Sequence, residues 1–384
     1  MSTKKHASGS TKSDDAKSPS SARKIAITAA EGYTGSAVIE LLLTDGTYKD
    51  KFSSLVGLTF GADGTSEGSA VLNELGVETV DVLDADEAAL EETLKDLEID
   101  TLLLVPPARK DKTKLVKKVL NAGKATKSVK NVVFLSSAGA DYAERDKQPR
   151  LREFIDLEVL AMQPKSDPST GDTGHSPCVV RAGFYMENLL LYSKQAQGEG
   201  KLPLPIDPDH KFAPVALGDV ALLLATILTS HGPHGLADSV RGQMIVLTGP
   251  MMTAGPELAE AASQALGTKL EFESISENEA QKILAGEAGE AVDKAEKEYL
   301  LEYYRLVCEG KTNCRSLLHF PPPLFSSPRS RQRSLARWAG TDVSTAAFKQ
   351  ITGQDAQQPT DFFEAYAGEF KKKRRRVSKA DEDE

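Results

Sequence analysis

A short segment near the start of the sequence has the residue types of a phosphate-binding turn. An apolar run at 24–28 is followed by AAEGYTG (29–35) and then by the helical pattern SAVIELLL (36–43). In such a strand–turn–helix, small residues let the backbone approach an anion, and the amides and dipole of the helix start attract it. The spacing Ala29-x-x-Gly32-x-x-Gly35 therefore indicates a site for the diphosphate of a dinucleotide.

Two features of the sequence oppose tight binding at this turn. Glu31 brings a carboxylate into a segment that should hold an anion. The second strand ends at Phe60 with no Arg to pair with a 2′-phosphate, and Asp63 comes late for a ribose diol. The sequence predicts NADP or NAD as a weakly bound cofactor and leaves the choice between them open.

The elements around the turn alternate between strands and helices. Strand-like apolar runs recur with helical stretches between them, at 53–60, 77–83, 100–106 and 131–137. Further strands are predicted at 177–182 and 243–249. This alternation is typical of βαβ crossovers, so we expect an α/β fold of Rossmann type, with a doubly wound parallel sheet and a smaller mixed α/β C-terminal domain.

Composition and pattern divide the chain into four parts. Residues 1–22 are rich in Ser, Lys and Thr and are predicted to be a disordered tail. Residues 23–182 are assigned to the NAD(P)-binding domain, and a later strand near 243–249 is expected to return to its sheet. Residues 183–370 are assigned to the smaller substrate-side domain, interleaved with the first, and residues 371–384 to a basic tail.

The charge of the chain is unevenly distributed. The formal net charge is −9, but residues 1–24 contribute +4 and residues 371–384 contribute +3, which leaves −16 for the body. An acidic body repels phosphate backbones, so direct nucleic-acid binding is disfavoured and a basic protein partner is favoured. The three cysteines, with no long apolar run and no basic-then-apolar leader, predict neither a disulfide scaffold, a membrane span nor a secretory signal.

A run of consecutive cations follows the last predicted helix. It resembles a monopartite nuclear-import signal, which an importin groove reads as an extended chain, and the alternative is a solvated tail. The cations of this signal are Lys371, Lys372, Lys373, Arg374, Arg375 and Arg376. The run predicts importin as a partner and a location in both the nucleus and the cytoplasm.

Four segments between residues 24 and 370 resemble the NmrA-like proteins, which are atypical short-chain dehydrogenases/reductases. VVRAGFYMENLL (179–190) is similar to the family's Arg-x-Gly-x-Phe/Tyr-Met-x-Asn run. Residues 202–228 resemble its substrate-side loop, 242–272 its late strand and Thr-Pro helix, and 342–370 its C-terminal element. Ala29, Glu31 and Phe60 depart from the Gly, Thr and Arg that are usual or frequent in the family.

The resemblance implies an NAD(P) site over the carboxyl ends of the strands. The residues that match the family's cofactor contacts are Gly32, Tyr33, Thr34 and Gly35 in the phosphate turn, Asp84 beside the adenine, Val105, Pro106, Ser136 and Ser137 at the nicotinamide end, and Phe184 and Tyr185, which would close over it. Simpler roles remain open for some of them. Ser136 and Ser137 could only end a strand, and Asp84 or Asp86 could only cap a helix.

The proton-transferring pair of active superfamily members is missing. Those members use Tyr-x-x-x-Lys on a helix, because a nearby cation lowers the phenol pKa, which is about 10 in isolation. None of the nine tyrosines has a lysine four residues later. We therefore assign no catalytic residue; Tyr299, Tyr303 and Tyr304 are expected to pack the core, and Asp219 to be a helix N-cap. No metal site is predicted, because the His and Cys spacings do not fit one.

Two functions of different classes fit these features. The first is an NAD(P)-binding nuclear co-regulator or redox sensor that acts by protein contact, as the resemblance to fungal NmrA proteins implies. Its partner would be a transcription factor whose basic DNA-binding region suits the acidic body. The alternative is an NAD(P)H-dependent oxidoreductase acting on a quinone or carbonyl, and a homologue without nucleotide binding is a third interpretation.

Overall fold

Seven parallel strands form the central sheet, and two small sheets lie beside it. The computed structural model describes residues 22–61, 67–163, 177–233, 235–290, 292–311 and 343–371. The strands are Arg23–Thr28 (β1), Phe52–Thr59 (β2), Glu78–Asp81 (β3), Thr101–Leu104 (β4), Asn131–Ser137 (β5), Cys178–Ala182 (β6), Lys201–Leu204 (β7), Lys211–Phe212 (β8), Met244–Leu247 (β9), Thr253–Ala254 (β10) and Glu271–Ser274 (β11).

The strand order of the central sheet places the site. The order is β3-β2-β1-β4-β5-β6-β9, so the chain reverses direction across the sheet between β1 and β4. In open parallel sheets, ligands bind outside the carboxyl ends of the strands at such a switch point. The predicted doubly wound parallel sheet is confirmed, and β9 lies beside β6 as its last strand.

Helices cover both faces of the sheet and build the second lobe. They are Tyr33–Thr44 (α1), Glu67–Glu74 (α2), Glu87–Asp96 (α3), Lys112–Ala125 (α4), Pro149–Met162 (α5), Ser193–Glu199 (α6), Leu217–Leu228 (α7), Gly255–Leu266 (α8), Glu277–Leu284 (α9), Lys294–Cys308 (α10), Val343–Thr352 (α11), Pro359–Ala365 (α12) and Ala367–Phe370 (α13). Short 3₁₀ turns cover Lys49–Lys51, Ala140–Tyr142, Met186–Tyr192 and Glu287–Gly289.

Burial on both faces explains the apolar strands of the central sheet. All four residues of β4, TLLL, are buried, and β1 is buried at all but one position. Helix α1 turns Val38, Ile39 and Leu42 towards the strands, and all three are fully buried. Burial of one such side chain contributes about 1.5–3 kcal/mol, so this packing fixes the start of α1 against the sheet.

A second apolar core lies under the smaller sheets. Strands β7 and β11 pair in parallel, and β8 pairs with β10 in the antiparallel sense. Aromatic rings fill the centre of this second core, where Phe184, Phe212 and Tyr304 are each at most 2% exposed. The packing of rings from distant parts of the chain joins the segment after β6 to α10.

The C-terminal segment 343–371 contacts both cores. Helix α11 packs on α7 and β9, and α12 packs on α8. Between them, the backbone N–H of Gln357 donates to Asp219 Oδ2 at 2.9 Å. The expectation that Asp219 is a helix N-cap is wrong, because Ala216 is the N-cap of α7 and the Asp219 side chain instead accepts a hydrogen bond from the returning chain.

Several sequence predictions fall outside the described residues. They concern the tail up to residue 21, Asp63, and the signal cations from Lys372 to Arg376. Among the helices that the structure describes, none combines the length and apolarity needed to cross a bilayer.

Candidate functional site

The turn between β1 and α1 has the backbone of a phosphate-binding turn but carries strain at its first position. Ala29 has a φ of +47°, a left-handed backbone conformation that residues other than glycine rarely adopt. The turn is closed by a hydrogen bond of 3.0 Å from Gly32 N to Ala29 O. Alanine therefore performs the tight bend that the family assigns to glycine, at a cost of about 1–2 kcal/mol.

The two glycines of the turn serve different purposes. A Cβ added at Gly35 would lie 2.3 Å from Ala29 O and 2.8 Å from Ala30 Cα, so only glycine lets α1 pack on the turn. A Cβ at Gly32 would meet Ala29 O at 3.3 Å, which is tight but tolerable. Gly32 is the N-cap of α1 and has no side chain to cover the amides of the first turn. The arrangement thus fits an incoming diphosphate.

Glu31 turns towards the end of β2. Its Oε1 accepts a hydrogen bond of 2.9 Å from Phe60 N, and burial raises the pKa of Glu31 above its usual value. Arg109, from the loop after β4, donates to Phe60 O at 3.0 Å and pairs with Asp111. Just after β2, the backbone N–H of Phe60 is therefore bonded to the Glu31 carboxylate, and its carbonyl oxygen is bonded to the Arg109 guanidinium.

The end of β4 is fastened to β1. Val105 N donates to Thr28 Oγ1 at 2.8 Å, and the hydroxyl of Thr28 donates to Val105 O at 2.9 Å. Val105 is buried and Pro106, which follows it, is half-buried. These two residues form a fixed edge of the cleft, next to the start of α1.

The two serines at the end of β5 point in different directions. Ser136 Oγ donates to Glu158 Oε1 at 2.5 Å, and Glu158 forms a buried, two-pronged ion pair with Arg181 at 2.7 and 2.8 Å. Ser137 Oγ lies 2.9 Å from the hydroxyl of Tyr299 in α10. Ser136 thus belongs to a structural network between β5, β6 and α5, and Ser137 faces the second lobe.

Tyr299, which was expected to pack the core, does pack against the second core and also contacts Ser137. It is half-buried, and its ring packs against Phe154 with centroids 5.8 Å apart. Its pKa is raised well above the usual value, mainly by burial and then by the nearby Glu296 carboxylate. Its i, i+4 spacing to Tyr303 indicates only helix packing, so no local signal could link it to Ser137, which is 162 residues away.

A buried lysine lies near this hydroxyl pair. Lys112, at the start of α4, places Nζ 4.1 Å from the Phe154 ring centroid and 5.9 Å from that of Tyr299. Lys112 also forms an ion pair of 3.3 Å with Glu153, and burial lowers its pKa. The structure brings together a Ser, a Tyr and a Lys from β5, α10 and α4, although no Tyr-x-x-x-Lys exists in the sequence.

The residues after β6 differ in what they contact. The Phe184 ring is 1% exposed and packs edge-on against Phe212 with centroids 5.3 Å apart, so its contacts are those of a core residue. The Tyr185 side chain lies beside the Thr34 side chain in the first turn of α1. Burial raises the pKa of Tyr185, so its phenol keeps its proton. Tyr185 therefore connects the segment after β6 to the phosphate turn.

The remaining predicted residues, Asp84, Asp86 and Tyr33, are exposed. Asp84 is exposed after β3, and Asp86 caps α3 by accepting from Ala89 N at 2.8 Å. Tyr33 is 65% exposed at the start of α1. Within the described ranges, no three His, Cys, Asp or Glu side chains cluster in a way that could hold a metal ion.

The fold and the site define the class of protein as a Rossmann-type α/β protein with a glycine-bearing turn at the topological switch point of its sheet. The chain belongs to the NmrA-like family, which matches residues 21–311. A curated relative, an NAD(P)H azoreductase from Xenophilus azovorans, is 24% identical over 188 residues, which are 49% of this chain and 59% of that protein. The chain thus spans less than two thirds of that relative's length.

Solved structures with the same fold come from both functional classes. An NADPH-dependent quinone oxidoreductase from Escherichia coli, solved with NADPH, is 20% identical, with a TM-score of 0.62 over 89% of this chain and 99% of that one. The negative transcriptional regulator NmrA, solved with NADP, is 14% identical, with a TM-score of 0.62 over 89% and 94% of the chains. NmrA has also been solved with NAD. The predicted resemblance is confirmed, and both functional classes occur among these relatives.

Proposed function

We propose that this protein is an NAD(P)-binding regulatory protein that acts by contact with another protein and responds to occupancy of the cleft. The observation that carries the proposal is the position of the Tyr185 phenol beside Thr34, in the first turn of α1. A diphosphate at the start of α1 would compete for the helix end that this phenol approaches. Binding would therefore displace the phenol.

The segment that carries Tyr185 is coupled to the second lobe. Phe184 O accepts from Val215 N at 2.8 Å, and Met186 N donates to Val215 O at 2.9 Å. The next residue, Glu187, accepts from Leu217 N at 3.0 Å, at the start of α7. A shift of Tyr185 would thus reach residues 213–217, which lead to the exposed Gly218 in the first turn of α7.

Partner and location follow from charge. The acidic body supports a basic partner, such as the DNA-binding region of a transcription factor, since opposite charge speeds encounter and selects partners. The basic run beginning at Lys371 supports import by importin and a location in both nucleus and cytoplasm. Direct nucleic-acid binding is not part of the proposal.

The test of the regulatory proposal is nucleotide binding with and without the Tyr185 phenol. We expect Tyr185→Phe to bind NADH or NADPH several-fold more tightly than wild type, because no hydroxyl then lies against the first turn of α1. In wild type, the nucleotide should change hydrogen–deuterium exchange at 184–187 and 213–217. Tyr48→Phe is the control, because Tyr48 bonds Thr226 at 3.0 Å away from the cleft. Equal affinities and unchanged exchange would refute the coupling.

A second function, an NAD(P)H-dependent reductase, is favoured by the pair of hydroxyls at Ser137 and Tyr299. Bound NAD(P)H would supply a hydride to a quinone or carbonyl acceptor. Burial raises the pKa of the Tyr299 phenol, so it could donate a hydrogen bond to the acceptor oxygen while keeping its proton, and the proton of the product would come from water. Oxidation of NADH and NADPH by purified protein with a panel of quinones tests this function, and a lack of turnover with every pair would exclude it.

A further inference from the structure

We infer that Glu31 makes this cleft select NAD(H) over NADP(H). The inference rests on the cofactor binding proposed above and names the form of the cofactor. Four observations carry it: the position of Glu31, the fixed backbone beneath it, the charges around it, and the existing contacts of the nearby cations.

The carboxylate of Glu31 lies beside the end of β2, where Rossmann proteins bind the adenosine ribose. In Rossmann proteins, an acidic residue at the end of the second strand binds the ribose 2′-hydroxyl, and an Arg there accepts a 2′-phosphate. β2 ends at Thr59 and is followed by Phe60, which supplies neither group. Glu31 reaches that place from the glycine turn instead, with Oε1 2.9 Å from Phe60 N.

The backbone of Glu31 is held in place. A Cβ added at Gly68, in the first turn of α2, would lie 2.1 Å from Glu31 O, so the two backbones are in direct contact. Ala30 N also donates to Leu58 O at 3.3 Å, which ties the turn to β2. With its backbone confined on both sides, Glu31 has little freedom to carry its charge out of the cleft.

The surrounding charges also disfavour a phosphate. Asp81 lies on the same side, with Oδ1 accepting from Gly61 N at 3.0 Å and from Leu83 N at 2.9 Å. Its charge helps to raise the pKa of Glu31, after the larger effect of burial.

The two nearby cations already have partners. Arg109 binds Asp111 with Nε–Oδ1 at 3.0 Å and Phe60 O at 3.0 Å. Lys118 Nζ donates to Val82 O at 3.0 Å and to Leu83 O at 2.8 Å. A 2′-phosphate, which is largely dianionic at neutral pH, would have to draw Arg109 away from Asp111 while facing Glu31. A ribose diol carries no charge and can donate to carboxylate oxygens.

The test is a titration of the full chain with NAD, NADH, NADP and NADPH at low and physiological salt, using Glu31→Gln as the variant. We expect wild type to bind NADH about tenfold or more tightly than NADPH, since like charges at short range oppose the 2′-phosphate. Glu31→Gln keeps an acceptor for Phe60 N and removes the charge. It should improve NADPH binding about tenfold and change NADH binding little.

Two further variants make the result decisive. Glu40→Gln removes the same charge from an exposed position of α1 and should leave the preference unchanged. If wild type prefers NADPH and Arg109→Gln removes that preference, Arg109 binds the phosphate and the inference is overturned. Equal affinities for NADH and NADPH would overturn this inference but not the proposed cofactor binding. Failure of all four nucleotides to bind would overturn the proposed cofactor binding as well.

Discussion

At the residue scale, the turn glycines are placed by local sequence, whereas Tyr299 and Glu31 are placed by contacts between distant segments. Gly32 and Gly35 were identified because the turn, its strand and its helix are contiguous in the sequence. Tyr299 was assigned to packing because its relation to Ser137 depends on how α10 docks against β5. The contact of Glu31 with Phe60 was missed for the same reason: a side-chain direction in a turn is fixed by folding and not by spacing.

At the residue scale, the reductase candidate makes a prediction for Tyr299. Tyr299→Phe should lower kcat by about 10²–10³, the usual contribution of one hydrogen-bond donor to a developing oxyanion, while the affinity for NADH stays unchanged. Steady-state turnover and a binding titration measure the two quantities separately. Tyr48→Phe, which removes a hydroxyl remote from the cleft, should leave kcat intact. A Tyr299→Phe protein with wild-type turnover would remove this residue from the chemistry.

Whole elements were predicted better than their contacts. The alternation of apolar runs and helical stretches indicated the strands of the doubly wound sheet, because buried parallel strands need continuous apolar sequence. The role of the C-terminal helices could not be derived in this way. Their packing across both cores depends on long-range contacts, such as Gln357 with Asp219, which leave no periodic pattern.

At the element scale, Asp219 should make the attachment of the C-terminal segment depend on pH. Burial raises its pKa to about 6, and the nearby Asp361 adds to the shift. A raised carboxyl pKa means that the folded state holds more protons than the unfolded state, so stability falls as pH rises through 6. Asp219→Asn lacks this penalty and should be more stable than wild type at pH 8, by on the order of 1–3 kcal/mol.

Urea denaturation at pH 5 and pH 8 measures this difference, which should shrink at the lower pH. Gln357 N can still donate to the amide oxygen that Asp219→Asn introduces, so the hydrogen bond is not lost. A variant that is less stable than wild type at pH 8 would show that the charged carboxylate holds the segment, contrary to this account.

At the scale of the whole molecule, charge and composition divide the chain into an acidic body and a basic C-terminal run. The packed body has a defined end. Phe370, the last residue of α13, is 2% exposed and packs in the second core, and the basic run starts immediately after it. Removing the run should therefore leave the packed protein intact.

Deletion of residues 371–377 should move a fluorescently tagged protein from the nucleus to the cytoplasm. The cause would be the loss of the cation chain that importin reads. Deletion of the acidic residues 381–384 is the matched control and should not change the distribution. A nuclear protein without 371–377 would refute the import role while leaving the cofactor site untouched.

The central claim is that the start of α1 receives the diphosphate of a nicotinamide dinucleotide, and Gly32 offers the most direct test. Gly32 is the N-cap of α1 with extended backbone (φ −82°, ψ 162°), where Asp and Asn both favour a helix. Calorimetric titration with NADH should show micromolar binding for wild type, a modest loss for Gly32→Asn, and at least about a further tenfold loss for Gly32→Asp, with all three proteins folded. Equal affinity of the Asn and Asp variants, or no binding by wild type, would contradict the claim.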